Sequence, residues 1–301
     1  MAFSSIRVLV SKLRTALPRL LLAAALCTSH AAWSQTARIT PGDIGIALHA
    51  QAVYMLDLDT GEVMVEKASA DIRPIASLSK LMMALVVMDS GLPMDAILEI
   101  SDADVDRLKH SRSRLPVGSR LSRSDLLHLA LMSSENRAAH ALGRHHPGGM
   151  PAFVRAMNDK ARALGMYHTR FVEPTGLSSD NVSSARDLAR LMQAASTYPL
   201  IRHYSTNGQH QVTLASGRRL AYRNTNRLVD NQDWDIQLSK TGFINEAGEC
   251  LVMLARIEDR DLAIVLLNAG RRTRTADALR LRTLVGRLTS MEARTHQGDL
   301  G

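Results

Sequence analysis

The amino-acid sequence predicts an α/β (α+β) fold, in which helices flank a central antiparallel β-sheet and an all-helical subdomain is inserted into the chain. Strand patterns occur early, at residues 52–66, and return only after Gln211. The intervening region, about residues 100–200, shows capped and amphipathic helical patterns instead. Because strands come first, helices fill the middle and strands return, we expect one sheet assembled from both ends of the chain.

The first predicted elements are a hairpin and a helix. Two short apolar runs flank the polar segment 57–62, whose Asp and Gly residues favour a turn. The apolar run Leu81–Met88 predicts a helix that opens at Ser77 and ends near Gly91. We therefore expect two paired strands followed directly by a helix.

The middle of the chain is predicted to be helical after an irregular, charged segment at 101–118. Ser122 stands three residues before Asp125, and Ser184 stands three before Asp187, which are capping-box spacings. The predicted helices of this region span residues 122–132, 136–144, 151–164 and 184–195.

The last third of the chain returns to strand patterns and closes with a helix. A Ser-Gly turn at 216–217 joins two short alternating runs into a predicted hairpin. Three further strands are predicted at residues 235–240, 250–257 and 262–267, and a final helix is predicted at 273–291. Residues 35–291 are thus expected to form the main domain, with 292–301 as a polar tail.

Residues 1–34 have the pattern of a secretory signal peptide. A basic stretch up to Arg19 precedes the apolar run Leu20–Cys27, and small residues then lead to a cut after Ala31 or Ser34. Because this apolar run is too short to span a bilayer, we expect export rather than a membrane-spanning helix.

The composition describes an ordinary globular chain of 301 residues, of which 46% are hydrophobic and 22% charged. Its net charge of +8 includes four basic residues of the signal segment, so the remainder carries 8 − 4 = +4. This modest balance argues against a nucleic-acid partner. The remainder also keeps a single cysteine, Cys250, which is expected to be a buried residue on a strand rather than a reactive thiol.

Three short motifs carry candidate chemistry. Ser77 and Lys80 share one face of the predicted helix, so the amine can take the hydroxyl proton if burial or a second cation lowers its pKa. Ser134 and Asn136 fall between two predicted helices, where a turn can present both side chains to a cleft. The segment Lys240-Thr241-Gly242 falls at a predicted strand end, where glycine admits a close ligand and lysine supplies a cation for a carboxylate.

In this order the motifs resemble the S-x-x-K, S-x-N and K-T-G elements of the penicillin-binding protein and serine β-lactamase superfamily. The residues around Ser77, Ser134 and Pro174 narrow the resemblance to the low-molecular-mass D-alanyl-D-alanine peptidases, and within them to the type-7 D-alanyl-D-alanine endopeptidases. The resemblance covers roughly residues 52–288. It implies a serine β-lactamase/D,D-peptidase-like fold and a periplasmic enzyme that needs no cofactor. Peptidoglycan peptide stems would be its substrates and β-lactams its covalent inhibitors.

The resemblance also implies roles for the residues that carry the acyl-transfer chemistry. Ser77 would be the nucleophile and Lys80 its general base. Ser134 would relay a proton to the leaving amine, and Asn136 would hold the substrate amide and Lys80 in place.

A second group of roles concerns substrate binding, at Lys240, Thr241, Gly242 and Phe243. Lys240 would bind the substrate carboxylate and help to keep Lys80 neutral by like-charge repulsion. The backbone N–H groups of Ser77 and Phe243 would form the oxyanion hole.

Other residues match parts of these patterns. Two further S-x-N triplets occur, Ser179-Asp180-Asn181 and Ser205-Thr206-Asn207, but Ser134 is preferred because it follows a capped apolar helix. Histidines 140, 145 and 146 could suggest a zinc site, but no H-E-x-x-H pattern accompanies them, so we expect no metal.

Two other functions compete with the D,D-peptidase interpretation. A β-lactamase is suggested by Glu173-Pro174, although the E-x-x-L-N spacing of that group is absent; a non-catalytic sensor of β-lactams would keep the same pocket. Only residues 292–301 follow the last helix, so no membrane anchor is expected. For the same reason we expect cleavage of D-alanyl cross-links, with terminal D-alanine release as a weaker activity.

Overall fold

A central antiparallel sheet organises the computed structural model, which describes residues 46–298. Within this range its five strands are β1 (Ala52–Asp57), β2 (Val63–Lys67), β9 (Asp235–Ile244), β10 (Gly248–Ile257) and β11 (Arg260–Ala269). They lie in the order β2-β1-β11-β10-β9, and every neighbouring pair is antiparallel. Because β1 pairs with β11, the sheet joins the two ends of the chain, which confirms the predicted fold class.

Alternation along the strands divides the core between the two faces of this sheet. Leu251 and Met253 pack in one cluster with residues of the last helix, α7 (Arg274–Gly298). Val252 and Leu254 point to the opposite face and join the larger cluster formed with the helical region. Since both faces are covered, β10 and β11 read as nearly continuous apolar runs.

The helical region lies between β2 and β9 in the chain, and its helices surround a central one. Residues 79–87 of that central helix are all buried, because neighbouring helices pack on every side of it. Two of the predicted caps are present: Ser122 Oγ accepts from Asp125 N at 2.9 Å, and Ser184 Oγ accepts from Asp187 N at 3.2 Å. The helices are α1 (Ser79–Asp89), α2 (Arg123–Met132), α3 (Asn136–Arg144), α4 (Gly149–Ala163), α5 (Ala185–Ser196) and α6 (Pro199–Thr206).

Several elements differ from the sequence predictions. The helix predicted to open at Ser77 begins instead with a 3-10 turn over Ala76–Leu78, and α6 was not predicted. The predicted strand 235–240 continues to Ile244, and α7 runs to Gly298 rather than Met291. Short paired strands not predicted from the sequence are β3 (Arg73–Pro74) with β6 (Val182–Ser183) and β4 (Ile97–Glu99) with β5 (Arg120–Ser122). The predicted hairpin is present as β7 (Gln209–Thr213) and β8 (Arg219–Arg223).

Two sequence expectations concern export and membrane spanning. The predicted signal peptide, residues 1–34, lies outside the described residues, so it stays a prediction. Among the helices that are described, none has both the length and the apolar character needed to cross a membrane.

Candidate active site

A cleft of about 490 Å³ lies between the β9 edge of the sheet and the helical region. Residues of all three sequence motifs meet there, although Lys240 follows Ser77 by 240 − 77 = 163 positions in the chain. The cleft is lined by Ser77, Ser134, Asn136, Thr241, Gly242 and Phe243, together with Lys109, Ser111, Leu177, Thr225, Ile244, Asn245 and Arg274. Lys80 and Lys240 are almost completely buried beneath it.

The turn that carries Ser77 is held in an uncommon backbone conformation. Ala76 has φ +49°, a left-handed value that costs a non-glycine residue energy unless its surroundings fix it. Two glycines make this close packing feasible: a Cβ on Gly176 would lie 1.9 Å from Ala76 O, and one on Gly242 would lie 3.1 Å from Ser77 N. The glycine of the K-T-G motif therefore allows β9 to lie against the nucleophile turn. The motif itself lies inside β9 rather than at its end, which corrects the sequence prediction.

Lys80 contacts the nucleophile directly. Its Nζ lies 3.0 Å from Ser77 Oγ, 2.8 Å from Asn136 Oδ1 and 2.6 Å from the carbonyl oxygen of Thr175. A neutral amine has two N–H donors and one lone pair. Asn136 Oδ1 and the Thr175 carbonyl can only accept, so they take both donors and leave the lone pair facing the hydroxyl of Ser77. The arrangement suits proton removal from Ser77.

Burial makes the neutral form of Lys80 accessible. It lowers the pKa of Lys80 to about 8, against the opposing influence of the Glu173, Glu135 and Asp106 carboxylates. The pKa of Lys240 lies well below its ordinary value, first because of burial and then because of the charges of Lys80 and Arg274. Burial is thus the main cause at both lysines. The like-charge repulsion that was expected to keep Lys80 neutral lowers the pKa of Lys240 instead, whereas the charges that act on Lys80 are carboxylates, which raise its pKa.

Ser134 occupies the other side of the cleft. It has φ +61°, a second strained position beside the site. Lys240 Nζ donates to Ser134 Oγ at 3.0 Å and to Thr241 O at 2.9 Å. Asn136 donates through Nδ2 to Ser111 Oγ at 2.9 Å, so its amide orientation is fixed on both sides. Each motif serine therefore has a lysine amine within hydrogen-bond distance.

The two other S-x-N triplets lie outside the lining of the cleft. Ser205 is 1% exposed, and its hydroxyl donates to Arg202 O within α6. Ser179 and Asn181 do not line the cleft, although Asn181 is fully buried behind the nucleophile turn. Ser79 is buried too, with its hydroxyl donating to Ala76 O and accepting from Asn181.

The histidines that could have suggested a zinc site, and the single cysteine of the described residues, also have defined surroundings. His140 Nδ1 lies 2.7 Å from Asp104 Oδ1, and Arg144 binds the same carboxylate. Within the described part of the chain, no group of three or more His, Cys, Asp or Glu side chains is arranged to hold a metal. Cys250 is fully buried, its Sγ donates to Ala247 O, and burial raises the pKa of its thiol to about 11.

Some functional neighbours were not identified from the sequence. The carbonyl group of Thr175 holds Lys80, Ser111 holds Asn136, and Thr225 Oγ1 accepts from Thr241 Oγ1 at 2.6 Å. Arg274 donates to Gly242 O at 3.2 Å. Pro174-Thr175-Gly176 was recognisable only as a turn, and nothing in the sequence marks its carbonyl as a lysine partner.

The fold and the site define an active-site-serine acyl-transfer protein of the S-x-x-K type. The sequence model of the family described as D-alanyl-D-alanine carboxypeptidase (Peptidase_S11) matches residues 35–271. The chain belongs to this family.

Individual relatives agree with the family. D-alanyl-D-alanine endopeptidases of Pseudomonas aeruginosa and Escherichia coli K12 are each 49% identical to the chain. The alignment with the Pseudomonas aeruginosa protein covers 80% of this chain and 79% of that relative. The alignment with the Escherichia coli protein covers 78% of this chain and 76% of that relative. The crystal structure of the Streptomyces K15 DD-transpeptidase superposes with a TM-score of 0.73 at 26% identity, covering 79% of this chain and 97% of that one.

Proposed function

We propose that the protein is a serine D,D-peptidase that hydrolyses D-alanyl peptide bonds of peptidoglycan through an acyl-enzyme on Ser77. The observation that carries this proposal is the contact of Lys80 Nζ with Ser77 Oγ, in which Asn136 and Thr175 take the two remaining bonding positions. A buried amine with a lowered pKa can act as a base at neutral pH without a histidine. The family membership supports the same reaction class.

In the proposed reaction, Lys80 takes the Ser77 proton as Oγ attacks the D-alanyl carbonyl carbon. The oxyanion would accept from the backbone N–H groups of Ser77 and Phe243. Ser134 would relay a proton to the leaving amine and take one in return from Lys240, whose amine lies 3.0 Å from its hydroxyl. Water would then attack the ester: its proton goes back to Lys240 through Ser134, Lys80 returns its proton to Ser77 Oγ, and the shortened stem is released. Lys240, Thr241 and Gly242 would hold the carboxylate beside the scissile bond.

We further propose that D-alanyl cross-links between stems are the preferred substrate, with terminal D-alanine release as a weaker activity. Relatives named endopeptidases are 49% identical to this chain, whereas the carboxypeptidase DacA of Escherichia coli K12 is 30% identical. The signal-peptide pattern of residues 1–34 supports a periplasmic location, where this substrate occurs.

The β-lactamase alternative requires a carboxylate that is free to activate water. Glu173 does not have this freedom, because its carboxylate accepts from Gly176 N, Ser178 N, Thr175 Oγ1 and Asn181 Nδ2. It is also not among the residues that line the cleft. We therefore expect a penicilloyl adduct to persist for many minutes.

The test offers cross-linked dimers and monomeric pentapeptides to the enzyme in one reaction and follows both products. Faster loss of dimers is expected. Release of free D-alanine with dimers left intact would overturn the endopeptidase preference. Absence of covalent penicillin labelling at Ser77, checked by peptide mass spectrometry, would overturn the acyl-enzyme mechanism.

A further inference from the structure

A hydrogen-bond network behind the nucleophile turn connects the buried residues Asn181 and Ser79 with the half-buried Glu173, and none of the three lines the cleft. We propose that Glu173 and Asn181 are positioning residues for acyl transfer: they fix the Thr175 carbonyl oxygen, and with it the direction in which Lys80 Nζ faces Ser77. This inference deepens the proposed function and rests on it.

Glu173 shapes the loop that presents the Thr175 carbonyl. Its Oε2 accepts from Thr175 Oγ1 at 2.6 Å, and its Oε1 accepts from Gly176 N at 2.7 Å and Ser178 N at 3.2 Å. These bonds wrap residues 173–178 around one carboxylate. The carbonyl oxygen of Thr175 is thereby directed at Lys80, 2.6 Å away.

Asn181 joins this loop to the nucleophile turn. It is 0% exposed, and its Oδ1 accepts from Val172 N at 2.8 Å. Its Nδ2 donates to Glu173 O at 2.8 Å and to Ser79 Oγ at 3.0 Å. Ser79 in turn donates to the carbonyl of Ala76, the residue that precedes the nucleophile. One amide side chain therefore ties the acceptor of Lys80 to the turn that carries Ser77.

The consequence is geometric, because Lys80 has only three bonding positions. Two are taken by the Thr175 carbonyl and Asn136, and the third faces Ser77. If the Thr175 carbonyl moves, the Lys80 amine rotates with it, and the lone pair of that amine no longer points at the Ser77 hydroxyl. Misplacement of a reacting group by about 1 Å can cost on the order of 10²-fold in rate.

Glu173 also acts on Lys80 through its charge. Its carboxylate is the largest of the influences that oppose the lowering of the Lys80 pKa by burial. Position and charge can therefore be separated by two substitutions. Glu173→Asp keeps the charge but shortens the side chain, whereas Glu173→Gln keeps the length but removes the charge and places an NH₂ group opposite the Thr175 donors.

The experiment measures the rate of acylation from pH 6 to pH 10 over a range of fluorescent penicillin concentrations, which gives both the rate at saturation and the initial binding constant. For Glu173→Asp we expect the acylation rate at high pH to fall about 10-fold or more below wild type. The acid limb, which is the pH range where the rate rises, should stay at the same pH. For Glu173→Gln we expect a similar loss, with the limb displaced to lower pH. The initial binding constant for penicillin should change less than the rate, because Glu173 lies outside the cleft lining. Asp180→Asn is the matched control: it removes a charge from an exposed residue of the same loop and should alter neither quantity.

Thermal unfolding of each variant guards against a merely structural loss. Rates within twofold of wild type for both Glu173 variants, or a limb that stays in place for Glu173→Gln, would overturn the proposal. If Glu173→Gln does not fold, Ser79→Ala takes its place, because it cuts the Asn181 link while keeping the carboxylate. A wild-type rate in Ser79→Ala together with Glu173→Asp would then overturn it. Failure of the wild type to label at Ser77 would instead overturn the proposed function.

Discussion

The pH dependence of penicillin acylation follows from the burial of Lys80. A general base must be neutral to accept a proton, so the rate should rise as pH increases through its pKa. With a pKa of about 8, roughly one-eleventh of Lys80 is neutral at pH 7 and roughly ten-elevenths at pH 9. We therefore expect the acylation rate to rise about tenfold between these two values.

The assay mixes the protein with excess fluorescent penicillin and follows the labelled fraction over time at each pH. Spontaneous penicillin hydrolysis is subtracted, and thermal unfolding at each pH confirms that the fold is intact. Lys80→Arg provides the control, because a guanidinium stays charged across this range. Its rate should fall by on the order of 10²-fold or more and show no limb near pH 8.

Three profiles would contradict this reasoning. A limb near pH 10.5 would mean that burial does not lower the pKa of Lys80. A limb near pH 6.5 would point to a histidine base, and one near pH 4.5 to a carboxylate. Because Lys80 and Lys240 interact, the observed value belongs to the pair, but it should still lie well below that of an ordinary lysine.

Other substitutions test the remaining assignments. Ser77→Ala should abolish covalent penicillin labelling, and labelling that survives it would refute the nucleophile. Ser134→Ala should slow acylation by on the order of 10²-fold or more while Ser179→Ala leaves it nearly unchanged, and the reverse pattern would exchange their roles. Gly176→Ala should destabilise the fold by roughly 3 kcal/mol or more in denaturant titrations, because its Cβ would lie 1.9 Å from a backbone oxygen. Gly61→Ala, with a similar φ but open space around it, should cost only about 1 kcal/mol.

The main sheet and most helices could be predicted because their signals are local. Alternating or continuous apolar runs of several residues defined all five strands of that sheet, and Ser-x-x-Asp caps located α2 and α5. The two-residue strands β3 and β6 are too short to show any alternation. The short helix α6 buries only Ile201 and Ser205, so its apolar stripe is weak in the sequence.

The site was predictable only where side chains carry the chemistry. Four side chains meet as expected: Ser77, Lys80, Ser134 and Asn136. Their roles depend on particular functional groups, so the residue types in the sequence identify them. The third partner of Lys80 is a backbone carbonyl, which every residue possesses, so no residue type at position 175 could reveal it. A lowered pKa of Lys80 was expected from the sequence through burial or a second cation, but the dominance of burial required the three-dimensional packing.

The buried thiol of Cys250 has a practical consequence for measuring how this protein opens. A reagent that reacts only with thiolates cannot reach a side chain that is fully enclosed and ionises near pH 11. Cys250 is the single cysteine of a chain that begins at Gln35. The rate at which its thiol is modified therefore reports the transient exposure of strand β10 alone. Comparing that rate before and after penicillin treatment would show whether a covalent adduct at the cleft slows the opening of a strand in the sheet.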